Sequence, residues 1–173
     1  MNDVAPNEQQ PQTTKEPAQV HGRDAIRETI ATLAEQAQRE LVVFGPRYDR
    51  SLFDTSRLSQ ALMRLVVGHR HSAVRMLIED AEQLRRENDR LMELARRCSD
   101  FIRIHEVAEE HRGSRELFVV IDQSGYLFQD SIDAATAVVN LSGKTEKSSQ
   151  LMNRFEELWP HSAPLSGRLG LGR

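Results

Sequence analysis

The 173-residue chain is 39% hydrophobic and 28% charged, with a formal net charge of -3, which is enough apolar material for one domain with a real core. That slight acidity supplies no general field for holding nucleic acid or anionic lipid. A single cysteine, Cys98, excludes an internal disulfide and a cysteine-rich zinc site, and fits a reducing compartment.

Residues 1–21 are rich in Gln, Pro, Asn and Thr and poor in large apolar side chains, so they are expected to form a disordered N-terminal arm. The N-terminus carries neither a basic flank nor an apolar core of the kind a secretory leader needs. No apolar run is long enough to cross a bilayer, so a cytoplasmic location without membrane contact is expected. From about Arg23 the spacing turns helical, with Ile26, Ile30, Leu33 and Ala37 on one stripe. A β run, Leu41 to Phe44, breaks at Gly45-Pro46. Asp54 or Thr55 then offers a cap for a second helix that buries Leu58, Ala61, Leu62, Leu65 and Val66 and ends near Gly68.

Val74 to Ile78 reads as the next strand. Glu79-Asp80 opens a third helix with a stripe through Ala81, Leu84, Leu91, Leu94, Ala95 and Cys98, and Asn88 falls inside that stripe. Phe101 to Ile104 forms a third strand, 117–121 and 126–128 form a hairpin around Gly125, and Ala137 to Val139 add a sixth strand. The last helix, from about Lys147 to Trp159, buries Leu151, Met152, Phe155, Leu158 and Trp159. The tail from His161 to Arg173 reads as flexible. Strand and helix alternation before a hairpin predicts an α/β fold with a mixed, partly parallel sheet flanked by helices. That single domain spans residues 22–160 and carries an extra N-terminal helix.

The stretch Arg115-Glu116-Leu117-Phe118-Val119-Val120-Ile121-Asp122 carries the strongest motif. It resembles the phospholipase D superfamily motif, in which His-x-Lys is followed by four residues and Asp. Setting that Asp on Asp122 puts Arg115 at the His position and Leu117 at the Lys position. Phe53-Asp54 and Leu158-Trp159 resemble further marks of a small bacterial group of phospholipase-D-like domains of unknown function. Members of that group are also found fused to acetyltransferase domains. The resemblance implies one half of the phospholipase D fold, and a dimer, because active halves pair.

In the active family one His attacks phosphorus, its twin protonates the leaving group, and the Lys residues hold the phosphoryl oxygens. A guanidinium offers only donors and stays protonated. No catalytic residue and no phosphodiesterase activity are therefore expected, with Asp122 reduced to a turn residue. The reading that results is a non-catalytic binding or interaction module, with a protein or a phosphate-containing ligand as its partner. The alternatives are a regulatory partner of an acetyltransferase, a nucleic-acid-binding protein, and a residual phosphodiesterase using other residues.

Loops beyond the carboxyl ends of parallel strands are where such sheets bind ligands. Arg47 and Arg50 after the first strand of the sheet, with Arg115, form the candidate anion site. Glu79-Asp80 should lie at the same edge. Arg64, His69, Arg70, His71 and Arg75 form a second basic cluster, read as helix capping, and 5% aromatic content argues against stacked nucleic acid. His105-Glu106 with His111 has the wrong spacing for a zinc-protease pair on one helical face, and His69 with His71 could share one side of a strand but has no third ligand nearby. Both pairs read as solvated loop histidines, so neither a metal nor a cofactor is expected.

Overall fold

Four consecutive apolar side chains, Leu41 to Phe44, demand burial on both faces, which suits a strand in the interior of a sheet covered on both sides. They form the middle of β2 (Glu40–Gly45), and all four are at most 2% exposed. The computed structural model describes residues 16–165. In chain order the other elements are β1 (Ala18–His21), α1 (Arg23–Gln36), α2 (Arg50–Phe53), α3 (Ser56–Gly68), β3 (Ala73–Ile78), α4 (Ala81–Glu87) and α5 (Asp89–Arg97). They continue with β4 (Ile102–Glu106), β5 (Leu117–Ile121), β6 (Gly125–Gln129), β7 (Thr136–Asn140), α6 (Glu146–Leu158) and β8 (Ala163–Pro164).

The strands make one eight-stranded sheet in the order β1-β7-β6-β5-β2-β3-β4-β8. The pairs β2–β3 and β3–β4 are parallel and every other neighbour is antiparallel. The mixed, partly parallel α/β sheet expected from the alternation of elements is the sheet that forms. One face carries α1, α3, α4 and α5 against Leu41, Val43, Met76, Ile104 and Val119. The opposite face is covered by α6, whose Leu151, Met152 and Phe155 pack on Val42, Phe44, Leu77, Phe118 and Val120.

Three expectations need correction. Residues 18–21, expected within a disordered arm, form β1 against β7. They hold their place by main-chain pairing, and only Val20 packs on the core, so no apolar period marks them. Residues 161–165, expected within a flexible tail, run from a 3-10 turn (Trp159–His161) into β8 on the edge of β4. The rest of both segments, residues 1–15 and 166–173, lies outside the described residues. The expected third helix is two helices. Asn88 leaves helical geometry at φ -124° and ψ 59°, because its fully buried amide donates to the Tyr48 carbonyl at 3.0 Å. Asp54 then accepts from the Arg90 and Leu91 amides at the start of α5, while Thr55 caps α3 through the Leu58 amide.

Asp122 does close the β5–β6 hairpin, with Asp122 and Gln123 both at positive φ, but it does more than turn. Its carboxylate accepts from the backbone N–H of Gln38, Arg39 and Glu40 at 2.9, 2.8 and 3.0 Å. The hairpin thereby fixes the entry into β2 from more than eighty residues away. Asp122→Ala should lower unfolding free energy by about 2 kcal/mol in urea denaturation, since hydrogen bonds to a charged acceptor are the stronger kind. Asp122→Asn should lose less, because one amide oxygen can keep the two bonds that Oδ1 now receives.

Candidate functional site

β5 runs antiparallel to β2, so its first residue, Leu117, lies at the edge where β2, β3 and β4 end. The loop after β2, Glu79-Asp80 after β3, and Arg115 before β5 therefore meet at one edge, as the topology requires. The N-terminus of α1 reaches it too, since His21 pairs with Thr136 and the Gly22 amide donates to the Ala135 carbonyl.

The floor of this edge is apolar and sealed. Leu117 is 2% exposed and lies against the main chain of Gly45: a Cβ there would come within 2.8 Å of Leu117 Cδ1 and 3.6 Å of Tyr48 Cε1. Tyr48 is fully buried and stacks on Phe53 at 4.8 Å between ring centroids. Its hydroxyl donates to the carbonyls of Leu77 at 2.9 Å and Val43 at 3.2 Å. Its main chain is held as firmly. Gln83 accepts from the Tyr48 amide and donates to the Tyr48 carbonyl, and Asn88 donates to the same carbonyl. Burial pushes the Tyr48 phenol well above its ordinary value, which leaves it a neutral structural group at physiological pH.

Above that floor the rim is a set of guanidinium–carboxylate pairs. Arg115 and Arg47 both reach Asp133, Arg115 by a hydrogen-bonded ion pair and Arg47 at 3.9 Å. Arg50 stands apart, exposed on the first turn of α2. Two of the three arginines singled out in the sequence thus converge on one carboxylate, and the third does not join them. Arg23 pairs with Asp49, which also caps α2 through the Ser51 amide. Burial alone would raise the Asp49 carboxyl, but the Ser51 and Arg23 bonds outweigh it and hold the group below its usual range. An adjoining cleft of about 650 Å³ is lined by Arg47, Glu79, Asp80, Glu106 and Arg112 among others. Most of those groups are engaged: Glu79 with the Gly113 amide, Asp80 with the Gln83 amide, and Glu106 with Arg112 at 2.7 Å.

Asp133 and Gln83 were not legible as site residues. Asp133 is eighteen residues from Arg115 and comes to it because the Ile132 amide donates to the Arg115 carbonyl. Tyr48 carried a faint signal, as the one aromatic side chain in a charged loop. The second basic cluster divides. Arg64, His69, Arg70 and His71 are exposed near the start of β3, at the opposite edge of the sheet. Arg75 instead lies half-buried beneath α6, paired with Glu156 and lying over the Phe155 and Trp159 rings.

His105 corrects the reading of a solvated loop histidine. It is on β4, stacked on Trp159 at 3.7 Å, with Nδ1 2.7 Å from Ser162 Oγ. Burial, then Arg103 and Arg75, keep its imidazole below the ordinary value. Among the described residues no group of three or more His, Cys, Asp or Glu is placed to hold a metal ion, and no helix is long and apolar enough to cross a membrane.

A family model described as "Domain of unknown function (DUF7931)" matches residues 22–167. No curated protein gives a significant match. Among solved structures, the chain is similar to Nuc of Salmonella typhimurium, a phospholipase D family member, with a TM-score of 0.60 and 12% identity over 86% of this chain and 98% of that one. It is similar to NucT of Helicobacter pylori at a TM-score of 0.56 and 7% identity, over 87% and 99% of the two chains. It is also similar to TrmBL2, an archaeal chromatin protein described as showing a novel mode of DNA binding. There the TM-score is 0.63 at 14% identity, over 89% of this chain and 56% of that one, so the chain spans little more than half of TrmBL2. At these identities the likeness is one of fold, and the fold is that of phospholipase D.

The sealed floor predicts an asymmetric response to substitution at its two main side chains. Tyr48→Phe should cost about 1–2 kcal/mol of stability by stripping a donor from two carbonyls. Leu117→Met should be tolerated within about 1.5 kcal/mol, whereas Leu117→Lys should cost about 3 kcal/mol or more by placing an ammonium in the buried apolar layer beside Gly45. Chemical denaturation of the three variants measures the order.

Proposed function

The chain belongs to the DUF7931 family and has a phospholipase D fold, and on that premise we propose that it is a non-catalytic binding module whose Arg47 and Arg115 receive an anionic, phosphate-type group. The observation that carries this reading is the convergence of both guanidiniums on the Asp133 carboxylate. One guanidinium hydrogen-bonded to this carboxylate and a second 3.9 Å from it suit a carboxylate or phosphate ligand, and Asp133 acts as a built-in competitor for it.

The absence of chemistry is supported by the same residues. A phosphodiesterase of this superfamily needs an imidazole nucleophile and an ammonium where Arg115 and Leu117 stand. Arg115 has no lone pair to attack with. Leu117 and Tyr48 present hydrocarbon and a tied phenol where an ammonium would have to reach phosphate. Both guanidiniums are more than half exposed, so each ion pair with Asp133 is weak and can be exchanged for a ligand.

Titration calorimetry with inorganic phosphate and with a short oligonucleotide tests the reading. Asp133→Asn should tighten phosphate binding by about threefold to tenfold, the scale of releasing two exposed ion pairs. Arg47→Ala or Arg115→Ala should weaken it, and no variant should turn over bis(p-nitrophenyl) phosphate. Affinity indifferent to all three substitutions removes the anion site. Turnover by the unaltered protein that a rim substitution abolishes removes the non-catalytic reading.

A further inference from the structure

The turn after α6 and the strand that follows it rest on the edge of β4 through few contacts, and His105 is at their centre. β8 supplies Ala163 opposite Glu106 and Pro164 opposite His105, and the Leu165 amide donates to the Ile104 carbonyl at 2.8 Å. The His105 ring stacks on Trp159 at 3.7 Å between centroids, and Leu165 packs on the core while only partly buried. A segment held this lightly opens at far less cost than the sheet beneath it.

The hydrogen bonds set the state of the imidazole. Ser162 gives its one hydroxyl hydrogen to the Trp159 carbonyl, so the 2.7 Å contact between Ser162 Oγ and Nδ1 requires the proton on the ring nitrogen. A second proton would go to Nε2 and make the ring a cation among cations. Arg103 lies two residues along the same strand, on the same face. Arg75 sits opposite Arg103 in the parallel register and already lies over the Trp159 ring at 5.3 Å. The carboxylates around the ring are engaged: Arg75 holds Glu156 and Glu40, and Arg112 holds Glu106. His161, on the turn, leans towards His111 at 5.7 Å and brings no negative charge. Across an open groove, Arg85, Asp89, Glu93 and Arg96 balance one another in sign.

We propose that His105 is an acid-sensitive latch, and that protonation of its ring releases Trp159–Leu165 and bares the edge of β4. Burial, then Arg103 and Arg75, hold the docked imidazole below its ordinary value, whereas release returns it to water and to about 6.5. The docked form is therefore fully favoured above that value, and it loses ground as pH falls below it and through the docked value. What opens is the Ile104 carbonyl and the main chain beside it, an unpaired strand edge able to accept another strand.

Trp159 is the only tryptophan of the chain, so its emission in the full chain reads the latch. Lowering the pH from about 8 to about 5 should move the emission to longer wavelength and raise its quenching by acrylamide. The midpoint should lie below about 6.5, with no loss of far-UV ellipticity. His105→Gln should abolish the transition, while His161→Gln and Glu40→Gln keep it. Arg103→Gln leaves the ring in place and removes a cation beside it, so the opening should shrink or move to lower pH. Emission that stays flat over the whole range overturns the proposal. So does a transition that survives in His105→Gln, disappears in either of the two control variants, or is undiminished in Arg103→Gln. Ellipticity lost along with the shift also overturns it, because the whole fold would then be opening.

Discussion

The Tyr48 hydroxyl sits between the Leu77 and Val43 carbonyls, inside the layer where β2 and β3 run side by side, and that placement sets what surrounds it. A phenol can be buried completely only if its hydroxyl finds acceptors. Once the ring is fixed, the main chain of the loop must follow it inward, and its amide and carbonyl need partners of their own. Gln83 on α4 serves both, and Asn88 adds a second donor to the carbonyl. Asn88 makes this bond from outside helical geometry, so the break between α4 and α5 coincides with the needs of a tyrosine forty residues earlier. That break in turn exposes amides that Asp54 satisfies.

The same constraint shapes the edge where the parallel strands end. With Tyr48 drawn down, Arg47 and Asp49 on either side of it stay at the surface, one reaching Asp133 and the other Arg23. Leu117 and the Tyr48 ring both lie close over the Gly45 backbone and, buried in one core cluster, complete an apolar floor. Strand ends and two arginines converge at this edge, while the layer beneath is packed as core. The residues singled out as motif-like in the sequence have structural roles here: Phe53 stacks on Tyr48, Asp54 caps α5, Trp159 stacks on His105, and Asp122 anchors the start of β2.

Local pattern carried the six central strands and the principal helices, because a continuous apolar run or a 3.6-residue period is a property of neighbouring residues. It carried the sheet type as well: strand, helix, strand, helix, strand before a hairpin predicts a mixed sheet, parallel in its first part. The edge strands β1 and β8 left no such trace. Their pairing is main-chain hydrogen bonding with little side-chain burial, and any sequence able to extend can supply it.

What the sequence determined by itself was therefore the α/β order, the apolar stripes of the principal helices and the chemical identity of Arg115 and Leu117. Tertiary structure alone decided that Arg47 and Arg115 share Asp133, that Arg50 stays apart, that Arg75 and His105 lie against α6 and the turn after it, and that one helix becomes two at Asn88. Each of those outcomes joins side chains from separate elements, and the hydrogen-bond needs of a buried polar group are met by whichever residue the fold brings within about 3 Å. Spacing along the chain carries no record of that distance.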